Sequence, residues 1–215
     1  MARIPRPLAV VVGSSPLAWA VAQTCAARGF DLVLAGAPPA VTRAGRDCRE
    51  RGAMVAVVEV EPASPSVVDA VSAALGEQPV DSVVAELVPA IAGDAPAGGG
   101  VSVGSLLLAH DLARGMRDRG FGRMLLLAAH AEPSEAVGQL LAGDGISVTR
   151  LVVAHADGAP SADALDAGAL AVAAFEAMMK GERVVSHRRT GSTTAGAPGD
   201  GAAREIPAEP GSGPS

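Results

Sequence analysis

Tyrosine is absent from this chain, and of its 17 basic residues only Lys180 is a lysine. Any mechanism that needs a phenol as proton donor is therefore excluded within these 215 residues. No Gly-Lys-Ser or Gly-Lys-Thr run occurs, which argues against phosphoryl transfer of the Walker type. The aromatic residues are Trp19, Phe30, Phe121 and Phe175 alone, the formal net charge is −6 and the pI is about 5.2. Nucleic-acid binding normally needs a basic face or stacking aromatics, so that class is disfavoured. Two cysteines, Cys25 and Cys48, make neither a disulfide framework nor a zinc site by themselves. No apolar run approaches the ~20 residues of a membrane span, so no membrane partner is expected. The opening MARIPRPLAVVVG lacks the long apolar core and small-residue cleavage site of a secretory signal. A cytoplasmic protein is the expectation.

What is present is ample apolar material. Hydrophobic residues make up 49% of the chain, charged residues 19%, and the mean hydropathy is +0.32. A chain of this length can enclose one core. Residues 8–12, LAVVV, form a continuous apolar run ending at Gly13, as a strand buried on both faces would. Ser15 suits a helix N-cap and Pro16 the first helical position, where its missing N–H costs nothing. A helix over 16–28 closed by Gly29 follows. The pattern then predicts strand 31–35, helix 40–52, strand 54–60, helix 66–75, strand 80–85 and a Pro/Gly/Ala loop over 89–100. Beyond the loop it predicts helix 101–119, strand 123–129, short helix 133–142, strand 146–154, Ala-rich helix 161–180 and a last strand at 183–187.

Strands alternating with helices imply βαβ units and a parallel sheet. With right-handed crossovers this gives an α/β, three-layer, Rossmann-like doubly wound sheet in the order 3-2-1-4-5-6-7. One domain is expected over residues 1–189. From 190 to 215 the chain is mostly Gly, Pro, Ala, Ser and Thr, and a disordered tail is expected, because few large apolar residues are available to offset the ordering entropy.

Over roughly residues 7–189 the chain resembles the short-chain dehydrogenase/reductase family, in the order and spacing of several segments. VVGSSPLAWAVAQTCAARGFDLVLAG is similar to that family's glycine-rich turn, first helix and second strand. VAVVEVEPASPSVVDAV resembles its third strand with an acidic tip. VDSVVAEL takes the place of the fourth strand with its Asn-Asn-Ala-Gly signature. MRDRGFGRMLLLAAH resembles the strand carrying the catalytic serine, and GDGISVTRLVVAHADG the sixth strand. The resemblance implies NAD or NADP as cofactor, held at Gly13, Ser14 and Ser15, with Glu59 replacing the acid that touches adenine.

The residues depart from the family at each functional position. Only Gly13 remains of the Thr-Gly-x-x-x-Gly-x-Gly motif, whose glycines let the backbone approach a pyrophosphate at a helix N-terminus. Pro16 and Ala18 fall on the two later glycines, and Leu17-Ala18-Trp19-Ala20 is closer to the variant turn of the family's enoyl reductases. Capped by Ser14 and Ser15, that helix start could still hold a phosphate; the alternative is a plain Ser-Pro helix start. Ala35-Gly36-Ala37-Pro38 carries neither the acid that selects NAD nor a basic neighbour for NADP, and Arg43 and Arg46 further on suit a solvated helix face. Glu59 and Glu61 can equally be solvated strand-tip carboxylates. Ala85-Glu86-Leu87-Val88 replaces the Asn-Asn-Ala-Gly signature. The catalytic serine position falls on Ala128 or Ala129. About 16 residues lie between Ala129 and Ile146, too few for the family's long Tyr-x-x-x-Lys helix.

Other chemistry is sparse. His130 and His155 are expected at carboxyl ends of neighbouring strands, where open α/β sheets bind ligands, with Glu132 and Asp157 close in sequence. Such a His–carboxylate pair suffices for acid–base work or metal binding; the alternative is a pair of solvated strand-end residues. No metal site is expected. Cys25 reads as a small buried residue, and Cys48 lacks the basic surroundings of a reactive thiolate. Leu106, Leu107 and Leu108, with Val103 and Met116, give the helix over 101–119 more apolar surface than one sheet face needs, which suits an oligomer contact, as the family dimerises through this helix and the next. A core helix with a wide apolar face is the alternative. Three functions remain open. One is a non-catalytic relative serving as structural or regulatory subunit, in a homo- or hetero-oligomer with an intact family member. The others are an atypical NAD(P) oxidoreductase with His130 as its acid, and a non-redox small-molecule enzyme or binder.

Overall fold

The computed structural model describes residues 6–87, 102–128, 131–154, 167–188 and 192–195. In chain order the elements are β1 (Leu8–Val12), α1 (Pro16–Ala27), β2 (Asp31–Gly36), α2 (Ala40–Glu50), β3 (Val55–Glu59), α3 (Val67–Leu75) and β4 (Ser82–Glu86). They continue with α4 (Val103–Arg119), β5 (Gly122–Ala128), α5 (Ala131–Leu141), β6 (Ile146–Ala154), α6 (Ala167–Lys180), β7 (Val184–Arg188) and β8 (Ser192–Ala195). The sheet order is β3-β2-β1-β4-β5-β6-β7-β8. Seven strands are parallel, in the expected order, and β8 runs antiparallel to β7.

Strand β1 sits between β2 and β4, and all five of its residues are buried. Alternation splits the sheet between two cores. Ala9 and Val11 join Leu34, Val84, Leu125 and Leu127 under α1, α2 and α6. Val10 and Val12 join Val33, Val83, Met124 and Leu126 under α3, α4 and α5. The result is a three-layer α/β/α sandwich. Helix α1 starts as expected: Ser15 Oγ accepts from Ala18 N at 3.2 Å, Pro16 occupies the first turn, and Gly29 beyond the helix end has φ +90°. Helix α4 ends on Gly120 in the left-handed region (φ +68°), where glycine avoids the Cβ penalty.

Predicted element ends differ from the observed ones by one or two residues in most cases. The expectation for the tail needs correction. Ser192–Ala195 lies in the stretch read as disordered, yet it pairs with β7 over Val185–Arg188. The exposed edge of β7 offers unpaired backbone groups, and Thr193 and Thr194 are β-branched residues that suit a strand. The rest of 190–215, the loop expected over 89–100 and the start of the helix expected over 161–180 lie outside the described residues.

Val11 has no solvent exposure. An aspartate there would carry an unpaired carboxylate into the core at a cost of several kcal/mol, comparable with the ~5–15 kcal/mol stability of a domain. Val11→Asp is expected to abolish soluble expression. A soluble variant with unchanged circular dichroism and melting would contradict the central placement of β1.

Candidate functional site

The chain leaves β1 toward β2 on one side of the sheet and returns through β4 on the other. The carboxyl ends of β1 and β4 therefore flank the point where strand order reverses, the usual ligand crevice of an open α/β sheet. From β1 come Gly13, Ser14 and Ser15, leading into α1. From β4 comes Glu86, the last residue of SVVAE and its only charge. Its side chain crosses to α1. Glu86 Oε2 accepts from Ser14 N at 2.6 Å, from Ser15 N at 3.0 Å and from Ser14 Oγ at 3.3 Å.

Glu86 is only 8% exposed. A buried carboxylate needs hydrogen bonds and opposite charge to offset desolvation. The turn into α1 supplies both: the Ser14 and Ser15 amides, which precede the helix that starts at Pro16, donate to it, and the aligned peptide dipoles of α1 place roughly half a positive charge beside it. Gly13 gives the carboxylate room. A Cβ on Gly13 would lie 2.8 Å from Glu86 Oε2, 3.2 Å from Glu86 Cβ and 2.8 Å from Ala18 Cβ. Gly13 is not among the positive-φ glycines, so space rather than backbone conformation demands glycine here.

A second departure at the same crevice has a steric cause. Gly36 ends β2, where the family's cofactor-selecting residue is expected. A Cβ there would lie 2.7 Å from Trp19 Cη2, 2.9 Å from Trp19 Cζ2 and 2.6 Å from the Gly13 carbonyl oxygen. The indole of Trp19, one turn into α1 and 8% exposed, is thus packed on the end of β2. Its Nε1 is buried without a partner among the described residues.

Of the sequence-derived candidates, the structure brings Gly13, Ser14 and Ser15 together and adds Glu86. Glu59 stands apart at the exposed end of β3, two strands from β1, and its Oε1 accepts from Thr42 Oγ1 of α2 at 2.7 Å. Ala128, at the end of β5, presents only a methyl group. Ala129, His130, His155 and Asp157 lie outside the described residues. Glu132 lies in α5, an 11-residue helix that contains neither Tyr nor Lys. His187 is on β7, in register with Val153 of β6. Among the described residues no group of three or more His, Cys, Asp or Glu could hold a metal ion. Burial, with a smaller contribution from Cys48, pushes the Cys25 thiol up to about 12. Burial pushes Cys48 up to about 11, against the opposing pull of Arg51. Both thiols are therefore neutral at physiological pH and unsuited to nucleophilic work.

No protein-family model and no curated relative matches the chain. Solved structures do. A Sinorhizobium meliloti 1021 protein assigned to the short-chain dehydrogenases/reductases superposes with a TM-score of 0.67 at 18% identity, over 89% of this chain and 99% of its own. This chain has the short-chain dehydrogenase/reductase fold. Acetoin dehydrogenase from Salmonella typhimurium matches at TM-score 0.65 and 16% identity, over 84% and 95% of the two chains. L-Sorbose reductase from Gluconobacter frateurii, solved with NADPH and L-sorbose, matches at 0.57 and 23%, over 70% of each.

Within the short-chain dehydrogenase/reductase fold a dinucleotide sets its pyrophosphate on the amides that open α1 and its adenosine ribose at the end of β2. Here one carboxylate oxygen already takes the Ser14 and Ser15 amides, and Trp19 covers the end of β2. The residues present do not fit a dinucleotide held in that way. In the sequence both residues stand out only as departures from the family's motifs, with no role of their own. The available signals were a lone acid closing an apolar strand, and a large aromatic where the motif has small residues.

Two outcomes follow. Gly36→Ala is expected to cost about 1–3 kcal/mol, the usual range for overpacking, since the Gly13 carbonyl is backbone and cannot yield; unchanged melting would contradict the Trp19 packing. Because the folded thiols titrate above their ordinary value of 9.0, they stay protonated where unfolded thiols ionise. Their contribution is complete below about pH 9 and lost as pH rises toward 11 and 12. Melting temperature should fall over that window, and less steeply in a Cys25→Ala/Cys48→Ala variant. Equal slopes would count against thiol burial as the cause.

Proposed function

We propose that the protein is a non-catalytic member of the short-chain dehydrogenase/reductase fold, acting as a structural or regulatory subunit of an active dehydrogenase. The observation that carries this reading is the Glu86 carboxylate on the Ser14 and Ser15 amides. A pyrophosphate brought to the same amides would meet a fixed negative charge at contact distance, and repulsion at low dielectric is severe. Hydride transfer to a ketone also builds negative charge on oxygen. A positioned proton donor relieves it and is worth roughly 10²–10⁴-fold in rate. Ala128 provides no such donor.

A subunit role requires a surface for the partner. Helix α4 buries Leu108, Ala109, Ala113 and Met116 in the core on the sheet and leaves Val103 and Leu107 exposed. On the neighbouring α5, Leu140 is exposed. These side chains supply apolar area on the same sheet face as the two helices through which the family pairs, and an intact family member is the partner proposed.

The test is calorimetric and kinetic. The purified chain is expected to bind neither NADH nor NADPH, and to show no turnover at the nicotinamide band with a panel of ketones and enones. Co-expression with an intact dehydrogenase from the same genome should give a mixed oligomer by size-exclusion and native mass spectrometry. Saturable nicotinamide binding with turnover lost in His130→Ala would overturn the reading in favour of a redox enzyme with His130 as its acid.

A further inference from the structure

We propose that Glu86 is a tethered oxyanion that closes a phosphate-binding turn, and that removing its charge uncovers a site for pyrophosphate. The inference rests on the reading that the unmodified chain takes no dinucleotide, and assigns the exclusion of the pyrophosphate moiety to one side chain.

The geometry supports an anion site that is built and filled from within. Three donors converge on a single oxygen, two of them the backbone N–H groups of Ser14 and Ser15 in the turn that leads into a 12-residue helix. Ser15 holds the first turn of that helix through Ala18 N, so the amides remain organised without Glu86. Gly13 admits an oxygen to within 2.8 Å of where its Cβ would stand. Glycine serves a bound phosphate in this way in nucleotide-binding turns; here the oxygen belongs to the protein.

The strand that carries Glu86, β4, is held in place. Val83, Val84 and Ala85 are fully buried, and β5 pairs the strand to its end, with Leu87 N donating to Leu127 O at 3.0 Å. The backbone of Glu86 is therefore fixed, which tethers its carboxylate within reach of the Ser14 and Ser15 amides. Confinement gives it an effective concentration in the millimolar range or above, so a free phosphate at micromolar concentration loses the competition. Charge strengthens the exclusion, because an incoming polyanion meets both an occupied donor set and a like charge. Neutral replacement removes the repulsion, and truncation removes the competitor as well.

The experiment compares the full chain with Glu86→Ala and Glu86→Gln, using inorganic pyrophosphate and NADH as probes. Calorimetry gives affinity, melting temperature gives linked stabilisation, and the fluorescence of Trp19, the one indole in the chain, reports on the end of β2. Glu86→Ala should bind pyrophosphate about tenfold or more tightly than the unmodified chain, as expected when a tethered competitor is removed. Glu86→Gln should fall between them. Adding Ser15→Pro to Glu86→Ala should abolish the gain, since proline lacks both the N–H and the Oγ that caps Ala18 N, while the Ser15 φ of −81° accommodates its ring. Pyrophosphate or NADH binding by the unmodified chain, equal to that of the variants, would defeat the underlying reading. No binding by the unmodified chain and no gain in folded Glu86→Ala would leave that reading standing and overturn the role given to Glu86. If Glu86→Ala does not fold, Glu86→Gln decides: no gain in the folded glutamine variant overturns the proposal.

Discussion

The half-buried Ser14 and Ser15 amides, in the turn between β1 and α1, open at the middle of the sheet, and the Glu86 carboxylate meets them there. The local arrangement of the crevice depends on that contact. It joins β1 to β4 at the point where the chain changes direction across the sheet, beyond the last backbone pairs of those two strands. It satisfies donors that would otherwise need water or a ligand, and it places negative charge at the positive end of the helix dipole. Gly13 is constrained by it, since any side chain there would collide with Glu86 and with Ala18.

A neighbouring constraint acts through shape rather than charge. Trp19 lies on the end of β2 because Gly36 leaves that end bare, and the Gly13 carbonyl closes the remaining space. Gly13, Trp19, Gly36 and Glu86 thus form one packed unit at the crevice. An acid substituted at Gly36 to imitate a cofactor-selecting residue would have no room. The departures from the family's motifs are therefore coupled, and the crevice is filled by the chain's own side chains.

The two cores explain why the fold persists while these positions differ. Val11 and its neighbours pack beneath α1, α2 and α6, and Val10 and Val12 beneath α3, α4 and α5, so the sheet is covered on both faces independently of the crevice. Apolar burial is roughly additive in area and indifferent to which polar groups stand at the strand ends. A similar backbone can hence occur at 16–23% identity in proteins named as reductases and dehydrogenases, while function is decided by a few side chains at the ends of strands.

The sequence by itself determined the layers, the strand order and the start of α1. Runs such as LAVVV and the Ser-Pro helix opening express local rules of burial and capping that need no knowledge of distant residues. It also excluded a phenol donor, through composition alone. What only the tertiary structure decided is where Glu86 and Trp19 go. Glu86 lies 72 residues from Ser14 in sequence, and nothing local distinguishes an acid that ends a strand in water from one that reaches a helix N-terminus. That choice depends on β4 lying beside β1. Gly36 likewise reads as a turn residue until the indole of α1 is seen against it. Four residues of the tail joined the sheet as β8 because an edge was available to pair with, and an available edge is a property of the folded sheet, not of the segment that finds it.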